Sequence, residues 1–119
     1  MIELCEEMKK LRNKLDKLGI AWIDNSFIMP EDELENMVSL GLKREFCDIT
    51  MYRTYFIIND IEYSVINGYN SYGGYSPFLD RNLGLLEIMA ETINNGKPCG
   101  NMTADEVIRI IFKEDNNDY

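Results

Sequence analysis

The sequence predicts an α+β fold with an N-terminal helix, a small antiparallel β-sheet built on a hairpin, and two C-terminal helices. Three observations support this prediction. An apolar stripe of helical period runs through residues 2–18, two alternating runs meet at Asn59-Asp60, and a capping box begins at Thr103. At 119 residues, the chain has the size of a single domain and can bury a core without a metal or a disulfide.

The first helix is predicted over residues 2–18. Glutamates occupy its first turns and lysines its last, and Gly19 follows as a helix-ending residue. The apolar residues recur at helical spacing, which favours packing on the chain's own sheet, with self-association as the alternative. These residues are Leu4, Met8, Leu11, Leu15 and Leu18.

A short strand is predicted over residues 20–23, and a second helix is predicted to begin at Pro30. Proline suits the first helical turn, and acidic residues are favourable at the positive end of the helix dipole. We interpret the acids here as a solvated face that stabilises the helix start. They are Glu31, Asp32, Glu33 and Glu35.

The hairpin is predicted over residues 49–67, with its turn at Asn59-Asp60, because both turn residues tolerate a left-handed backbone. This turn places Phe56 opposite Tyr63 and makes one face of the hairpin the apolar core face. The opposite face is mixed, and we expect another element or a second subunit to cover it. That face carries Arg53, Tyr55, Ile57, Glu62, Ser64 and Ile66.

Two helices are predicted after the sheet. Residues 83–93 carry apolar side chains at helical spacing and are followed by Asn95-Gly96 and Pro98, which are typical of a helix end. Thr103 and Glu106 have the spacing of a capping box, so the last helix is expected to begin next to Thr103.

Composition narrows the functional classes. The net charge of −9 disfavours direct binding of nucleic acid, and no apolar run is long enough to span a membrane. Three cysteines without paired spacing and a charged N-terminus favour a cytoplasmic protein with reduced thiols. The chain has no histidine, the residue best suited to proton transfer and to activating a nucleophile. We therefore expect a protein that is not an enzyme and that needs no cofactor.

The segment after the hairpin has the composition of a ligand site. Its glycines have the spacing of a phosphate loop, but the lysine of that motif is absent. Glycines let backbone amides approach a ligand, tyrosines offer stacking faces, and arginines neutralise anions. The alternative is a structural connection whose tyrosines pack on the sheet. The candidate ligand-binding residues are Arg53, Tyr69, Ser71, Tyr72, Gly73, Gly74, Tyr75 and Arg81.

Three stretches of the second half carry a resemblance: SVINGYNSYGG at residues 64–74, LLEIM at 85–89 and MTADEVI at 102–108. Together they resemble small uncharacterised proteins encoded by phages and prophages of Gram-positive bacteria. The resemblance implies no catalytic residue. It implies a host-cell cytoplasmic setting in which small acidic proteins act on host machinery or host defence.

We therefore expect a non-catalytic, phage-type binding protein, a counter-defence factor that sequesters a nucleotide-like small molecule at the Tyr/Gly-rich loop. Two alternatives stay open. One is an acidic inhibitor that occludes a host protein as a nucleic-acid mimic does, with Glu31 to Glu35 near the contact. The other is a small metal-dependent hydrolase. The first helix and the mixed hairpin face are also compatible with a homo-oligomer.

Overall fold

Helices and an antiparallel sheet form an α+β fold, in agreement with the predicted class. The computed structural model describes residues 4–28, 31–41, 50–68, 71–76 and 81–115. Its helices are α1 (Glu6–Lys17), α2 (Glu31–Ser39) and α3 (Ala104–Asp115), and a short 3-10 helix spans Asn94–Gly96. Its strands are β1 (Trp22–Asp24), β2 (Phe27–Ile28), β3 (Thr50–Ile58), β4 (Ile61–Asn67), β5 (Tyr75–Ser76), β6 (Arg81–Asn82), β7 (Leu86–Met89) and β8 (Cys99–Met102).

The β3–β4 hairpin forms the centre of the main sheet. Within the described residues the strand order is β1-β3-β4-β7-β8, with β2 also paired to β3, and all pairs are antiparallel. Asn59 and Asp60 form the turn with φ of 52° and 66°, the left-handed geometry that their residue types tolerate. The predicted register is confirmed, because Phe56 lies opposite Tyr63 and the two rings stack at a centroid distance of 5.3 Å.

The core lies between one face of this sheet and the helices α1 and α3. Helical and β periodicities each deliver one apolar face to this layer, so the two surfaces bury one another. The two helices also meet directly, since the Glu7 carboxylate accepts a hydrogen bond of 2.8 Å from the Ala104 N–H at the start of α3. The buried core includes Met8, Leu11, Leu15, Phe56, Tyr63, Val65, Leu86, Ile88, Ile93, Met102, Val107 and Ile111.

Arg12 links α1 to the strands beside it. Its Nε donates a 2.8 Å hydrogen bond to the buried Thr54 hydroxyl, and its guanidinium lies 4.7 Å from the centre of the Trp22 ring. A second nitrogen donates to Asp24 Oδ1 at 3.2 Å. Thr54 is a fully buried polar residue on the core face, and Arg12 satisfies its hydroxyl there.

The predicted helix over residues 83–93 is wrong, because the structure forms strand β7 at Leu86–Met89. Leu86 and Ile88 are fully buried on the core face, while Glu87 and Met89 point to the other side, a period of two rather than of helical spacing. Strand β7 pairs with β4, with Ile88 opposite Val65. This segment therefore forms a strand because it pairs with the free edge of the hairpin. Only one of the two predicted C-terminal helices forms.

The other predicted helices agree with the structure apart from their ends. Helix α2 begins at Glu31, as the position of Pro30 predicts. The capping box is confirmed, because Thr103 N–H donates to Glu106 Oε1 at 3.0 Å and Glu106 N–H donates to Thr103 Oγ1 at 3.2 Å. In α1 the predicted stripe ends early: Leu18 is 51% exposed, because the helix ends at Lys17 and turns away at Gly19.

The second face of the sheet is not covered by a helix of the described chain, and we call it the outer face. It presents large apolar side chains to solvent, with exposures of 61% for Ile23, 52% for Ile57 and 43% for Met89. No element of the described chain covers these side chains over this part of the sheet. The candidate functional site lies on this face.

Candidate functional site

The Tyr/Gly-rich loop folds back onto the outer face at the β7–β8 end of the sheet. Tyr72 N–H donates to Glu87 Oε1 at 2.8 Å, and Tyr72 C=O accepts from Asn101 N–H at 3.0 Å. Gly73 C=O accepts a further bond of 2.9 Å from Leu85 N–H. The loop thus covers Glu87, which is only 6% exposed although it points away from the core.

The glycines of this region allow close packing of the loop on itself and on the sheet. A Cβ atom at Gly74 would lie 2.1 Å from the Gly68 carbonyl oxygen, and one at Gly100 would lie 2.0 Å from Tyr72 Cβ. Gly73 has a φ of +103°, which side-chain-bearing residues rarely adopt. These contacts give the glycines a structural role, which was the alternative interpretation of the loop.

The polar atoms of two further candidate groups form hydrogen bonds within the loop itself. Ser71 is 8% exposed, and its hydroxyl donates to Gly68 C=O at 2.9 Å and accepts from Gly68 N–H at 3.0 Å. Gly74 N–H donates to Ser71 C=O at 3.1 Å. Neither the Ser71 hydroxyl nor the Gly74 amide is directed at a ligand in this arrangement.

The remaining loop candidates differ in their surroundings. Tyr72 is 60% exposed, so its ring is open to contact from outside. Tyr75 and Arg81 lie on strands β5 and β6, where Ser76 pairs with Arg81, and the Arg81 side chain is exposed. Tyr69 lies outside the described residues, and for Tyr75 only the backbone is described.

Arg53 is the candidate residue with the most distinctive environment. Its Nε–H is buried and has no hydrogen-bond partner, and no carboxylate of the described chain pairs with its guanidinium. The guanidinium lies 5.2 Å from the centre of the Phe27 ring, which shields one side of it. A buried donor without a partner is rare in folded proteins and marks a place where a water, an ion or a ligand is expected.

A cavity of about 190 Å³ opens beside this arginine on the outer face. Arg53, Ile66 and Glu87 stand opposite one another on β3, β4 and β7, so the cation and the carboxylate lie across one intervening strand. Glu87 also holds Tyr72, which brings the edge of the Tyr/Gly loop to the cavity rim. The cavity is lined by Phe27, Met51, Arg53, Ser64, Ile66, Glu87 and Met89.

Two further depressions continue this cavity towards the hairpin turn. The nearer has a volume of about 350 Å³ and shares Ser64 and Met89 with the Arg53 cavity. The farther has a volume of about 280 Å³ and shares Glu62 and Glu91 with its neighbour. We call the three together the outer-face trough; it has a cation at one end and acids at the other.

The acidic end of the trough is built around Asp60, Glu62 and Glu91. The Tyr55 hydroxyl donates a hydrogen bond to Glu62 Oε1. This bond to a carboxylate, together with partial burial and the negative charge of Glu62, raises the pKa of Tyr55. Tyr55 therefore keeps its proton and orients the Glu62 carboxylate at the edge of the trough.

The thiols and carboxylates elsewhere do not form a recognisable reactive centre in the described part of the chain. No group of three Cys, Asp or Glu side chains there is arranged to hold a metal ion. Burial raises the pKa of the Cys5 thiol. Cys99 is half-buried and free, and Cys47 lies outside the described residues. None of the described helices has the length and apolar character required to cross a membrane.

Sequence reasoning identified Arg53 and Tyr72 but missed Phe27 and Glu87. The signal for Glu87 was present, since Leu86, Ile88 and Ala90 alternate with Glu87, Met89 and Glu91 as in a half-buried strand. Phe27 reaches the site only because β2 pairs with the start of β3. Comparison with protein-family models, with curated proteins and with solved structures gave no match to this chain.

Proposed function

We propose that this is a non-catalytic binding protein that captures a nucleotide-like small molecule in the outer-face trough, with a planar ring of the ligand seated in the Arg53 cavity. The observation that carries this proposal is the buried Arg53 Nε–H without a partner, in a cavity that also holds the Glu87 carboxylate. The proposed site therefore lies on the sheet beside the Tyr/Gly-rich loop and not at the glycines of the loop.

The charges of the cavity favour a ring with both acceptors and donors on its edge. Arg53 presents hydrogen-bond donors only, and an ionised Glu87 presents acceptors only. In nucleic-acid recognition, arginine pairs with the acceptor edge of guanine, and carboxylates accept from base amino groups. One cation beside one carboxylate is less suited to a group of several negative charges, such as a polyphosphate, because Glu87 would repel it.

The size of the cavity agrees with capture of part of a ligand. Its volume of about 190 Å³ is smaller than a complete small-molecule site, which typically has about 300–1,000 Å³. The rest of the ligand would lie along the trough, over Met89 and Tyr55, or against the exposed Tyr72 ring at the rim.

Sequestration of a signalling molecule requires a pocket and no catalytic group. This suits a chain without histidine. The resemblance of its second half to phage-encoded proteins supports the proposal that the captured molecule is a signal of host defence, so that the protein acts as a counter-defence factor in the host cytoplasm.

The test is a calorimetric titration of the protein with GMP, AMP, CMP, UMP and inorganic phosphate. We expect at least one nucleotide to bind, and Arg53→Gln to weaken that binding at least about tenfold, because a charged hydrogen bond is worth about 1.5–3 kcal/mol. Arg53→Lys should bind the nucleotide little better than Arg53→Gln, because lysine keeps the charge but lacks the planar guanidinium with its paired donors.

Arg81→Gln is the matched control, since it removes the same charge from an exposed arginine on β6. If Arg53→Gln binds as well as the wild type, or if inorganic phosphate displaces the nucleotide from the same site, the ring-binding proposal is wrong. The Arg53 Nε–H makes no hydrogen bond in the described chain, so the variant is expected to remain folded.

A further inference from the structure

The acidic end of the outer-face trough has the features of a protein-docking surface. Two depressions of about 280 and 350 Å³ share Glu62 and Glu91 and together form one groove beside the hairpin turn. Ile57, 52% exposed, and Met89, 43% exposed, contribute large apolar surfaces to it. Contiguous apolar surface rimmed by charge is typical of interaction sites.

The three acids of this groove have no basic partner among the described residues. The ion pairs found in the described chain use Glu6, Glu7, Asp24 and Asp105, and none of them uses Asp60, Glu62 or Glu91. Among the described residues, Glu62 accepts a side-chain hydrogen bond from the neutral Tyr55 hydroxyl alone. In the part of the chain that the structure describes, no cation neutralises these acids, which lie beside exposed apolar side chains.

The charge selects among the occupants of such a groove. A second copy of the chain docking with the same face would bring the same three acids together, which is unfavourable. Docking of a second copy through its lysine-rich helix α1 would have to exchange the ion pairs that Lys9, Lys10 and Lys14 form within the chain. A nucleic acid is excluded from an acidic groove by phosphate repulsion.

We propose that this groove docks a basic, apolar segment of a partner protein, with an arginine or lysine of the partner between Glu62 and Glu91 and apolar partner residues on Ile57 and Met89. The surface is distinct from the acidic start of α2, where the sequence placed the contact of an inhibitor. It shares Met89 with the trough of the nucleotide proposal but does not use Arg53, so the two proposals can be tested separately.

The experiment uses two synthetic peptides with blocked ends, one of alternating arginine and leucine and one of alternating glutamate and leucine. Each is titrated into isotopically labelled protein while amide chemical shifts are followed. We expect saturable shifts from the arginine peptide that centre on residues 55–64 and 89–96, and none from the glutamate peptide. Higher ionic strength should weaken the binding several-fold, because exposed charges are screened.

Charge reversal provides the decisive comparison. Glu62→Lys with Glu91→Lys should abolish binding of the arginine peptide, whereas Asp32→Lys with Glu35→Lys, which reverses two exposed acids on α2, should have little effect. Glu91→Lys alone should weaken binding of the arginine peptide. This single variant replaces the double variant in the test if the double variant does not fold. Arg53→Gln should leave peptide binding unchanged, so failure here is separable from failure of nucleotide binding.

Three results would overturn the proposal. The first is unchanged binding after reversal of Glu62 and Glu91. The second is loss of binding on reversal at α2 instead, which would place the basic partner on that helix. The third is self-association of the protein that Glu91→Lys disrupts, as measured by analytical ultracentrifugation, which would assign the groove to a second copy.

Discussion

Glu87 accepts a hydrogen bond of 2.8 Å from the backbone N–H of Tyr72, and this bond fastens the Tyr/Gly-rich loop to the central sheet. Replacing Glu87 with alanine removes the acceptor and leaves the partly buried N–H of Tyr72 without a partner. We expect Glu87→Ala to lower the free energy of unfolding by about 1–3 kcal/mol. Urea denaturation followed by circular dichroism measures this change.

Glu87→Gln is the control for that prediction. Glutamine keeps a side-chain oxygen that accepts the same hydrogen bond, so we expect a smaller loss of stability than with alanine. Hydrogen exchange at Tyr72 should be faster in the alanine variant and close to wild type in the glutamine variant. Equal behaviour of the two variants would show that the hydrogen bond does not hold the loop.

The crowded glycines give a second prediction. Gly74→Ala and Gly100→Ala place a methyl group about 2 Å from Gly68 C=O and from Tyr72 Cβ, respectively. Overpacking of this kind costs about 1–3 kcal/mol, so both variants should unfold at lower denaturant concentration. Gly84→Asn is the control, because Gly84 has open space around it and asparagine tolerates its φ of +74°. Wild-type stability of Gly74→Ala would contradict the packing of this loop.

A third prediction concerns Arg12 and Thr54. Arg12→Met removes the 2.8 Å hydrogen bond to Thr54 and the contact of the guanidinium with Trp22, and we expect a loss of about 1–3 kcal/mol. Thr54→Val removes the same hydrogen bond from the other side. The double variant should then lose less stability than the two single variants together, by about 1 kcal/mol. Strict additivity of the three unfolding free energies would show that the bond contributes nothing.

A fourth prediction concerns the dependence of the unfolding free energy on pH in the acidic range. The Ser26 hydroxyl, and less strongly Arg12, lowers the pKa of Asp24, and the Thr103 N–H lowers the pKa of Glu106. A depressed pKa in the folded state means that the carboxylate contributes stability above its unfolded pKa of about 4, and that this contribution is lost as pH falls through the lower, folded value. We therefore expect stability to decline below about pH 4.

Asp24→Asn combined with Glu106→Gln should flatten this decline and lower the stability at neutral pH. Unfolding free energies measured in urea between neutral and strongly acidic pH provide the comparison. Asp60→Asn is the control, since it removes an exposed acid that forms no ion pair in the described residues. An unchanged acid profile in the double variant would assign the decline to other carboxylates.

The parts of the fold that could be predicted are those fixed by neighbouring residues. Asn59-Asp60 defines the hairpin turn, and the turn alone sets the pairing of Phe56 with Tyr63. Thr103 and Glu106 define the start of α3 in the same local way. The sequence predicts a helix over residues 83–93 that does not form, because their conformation depends on β4, which offers a free strand edge some twenty positions earlier. A local pattern of leucines does not contain that information.

The residues of the candidate site also differ in whether the local sequence predicts them. The residue types of Arg53 and Tyr72 indicate a site, whereas the helix predicted over residues 83–93 does not bring Glu87 to Tyr72. A local sequence pattern does not predict that Phe27 lies beside Arg53, because this contact follows from the pairing of β2 with β3. The glycines were noticed for the freedom they give a backbone near a ligand, and the structure uses them for close packing of the loop.

The bond between Glu7 and Ala104 joins residues 97 positions apart, and it has a consequence for how the protein folds. The β3–β4 hairpin is local and can form as soon as residue 67 has left the ribosome, whereas the contacts between α1 and α3 must wait for residues 104–115. Until then the part of α1 that α3 covers is exposed to solvent and to chaperones. Pulse-labelling hydrogen exchange during refolding should accordingly protect the hairpin amides before those of α3, and simultaneous protection would indicate a single concerted step.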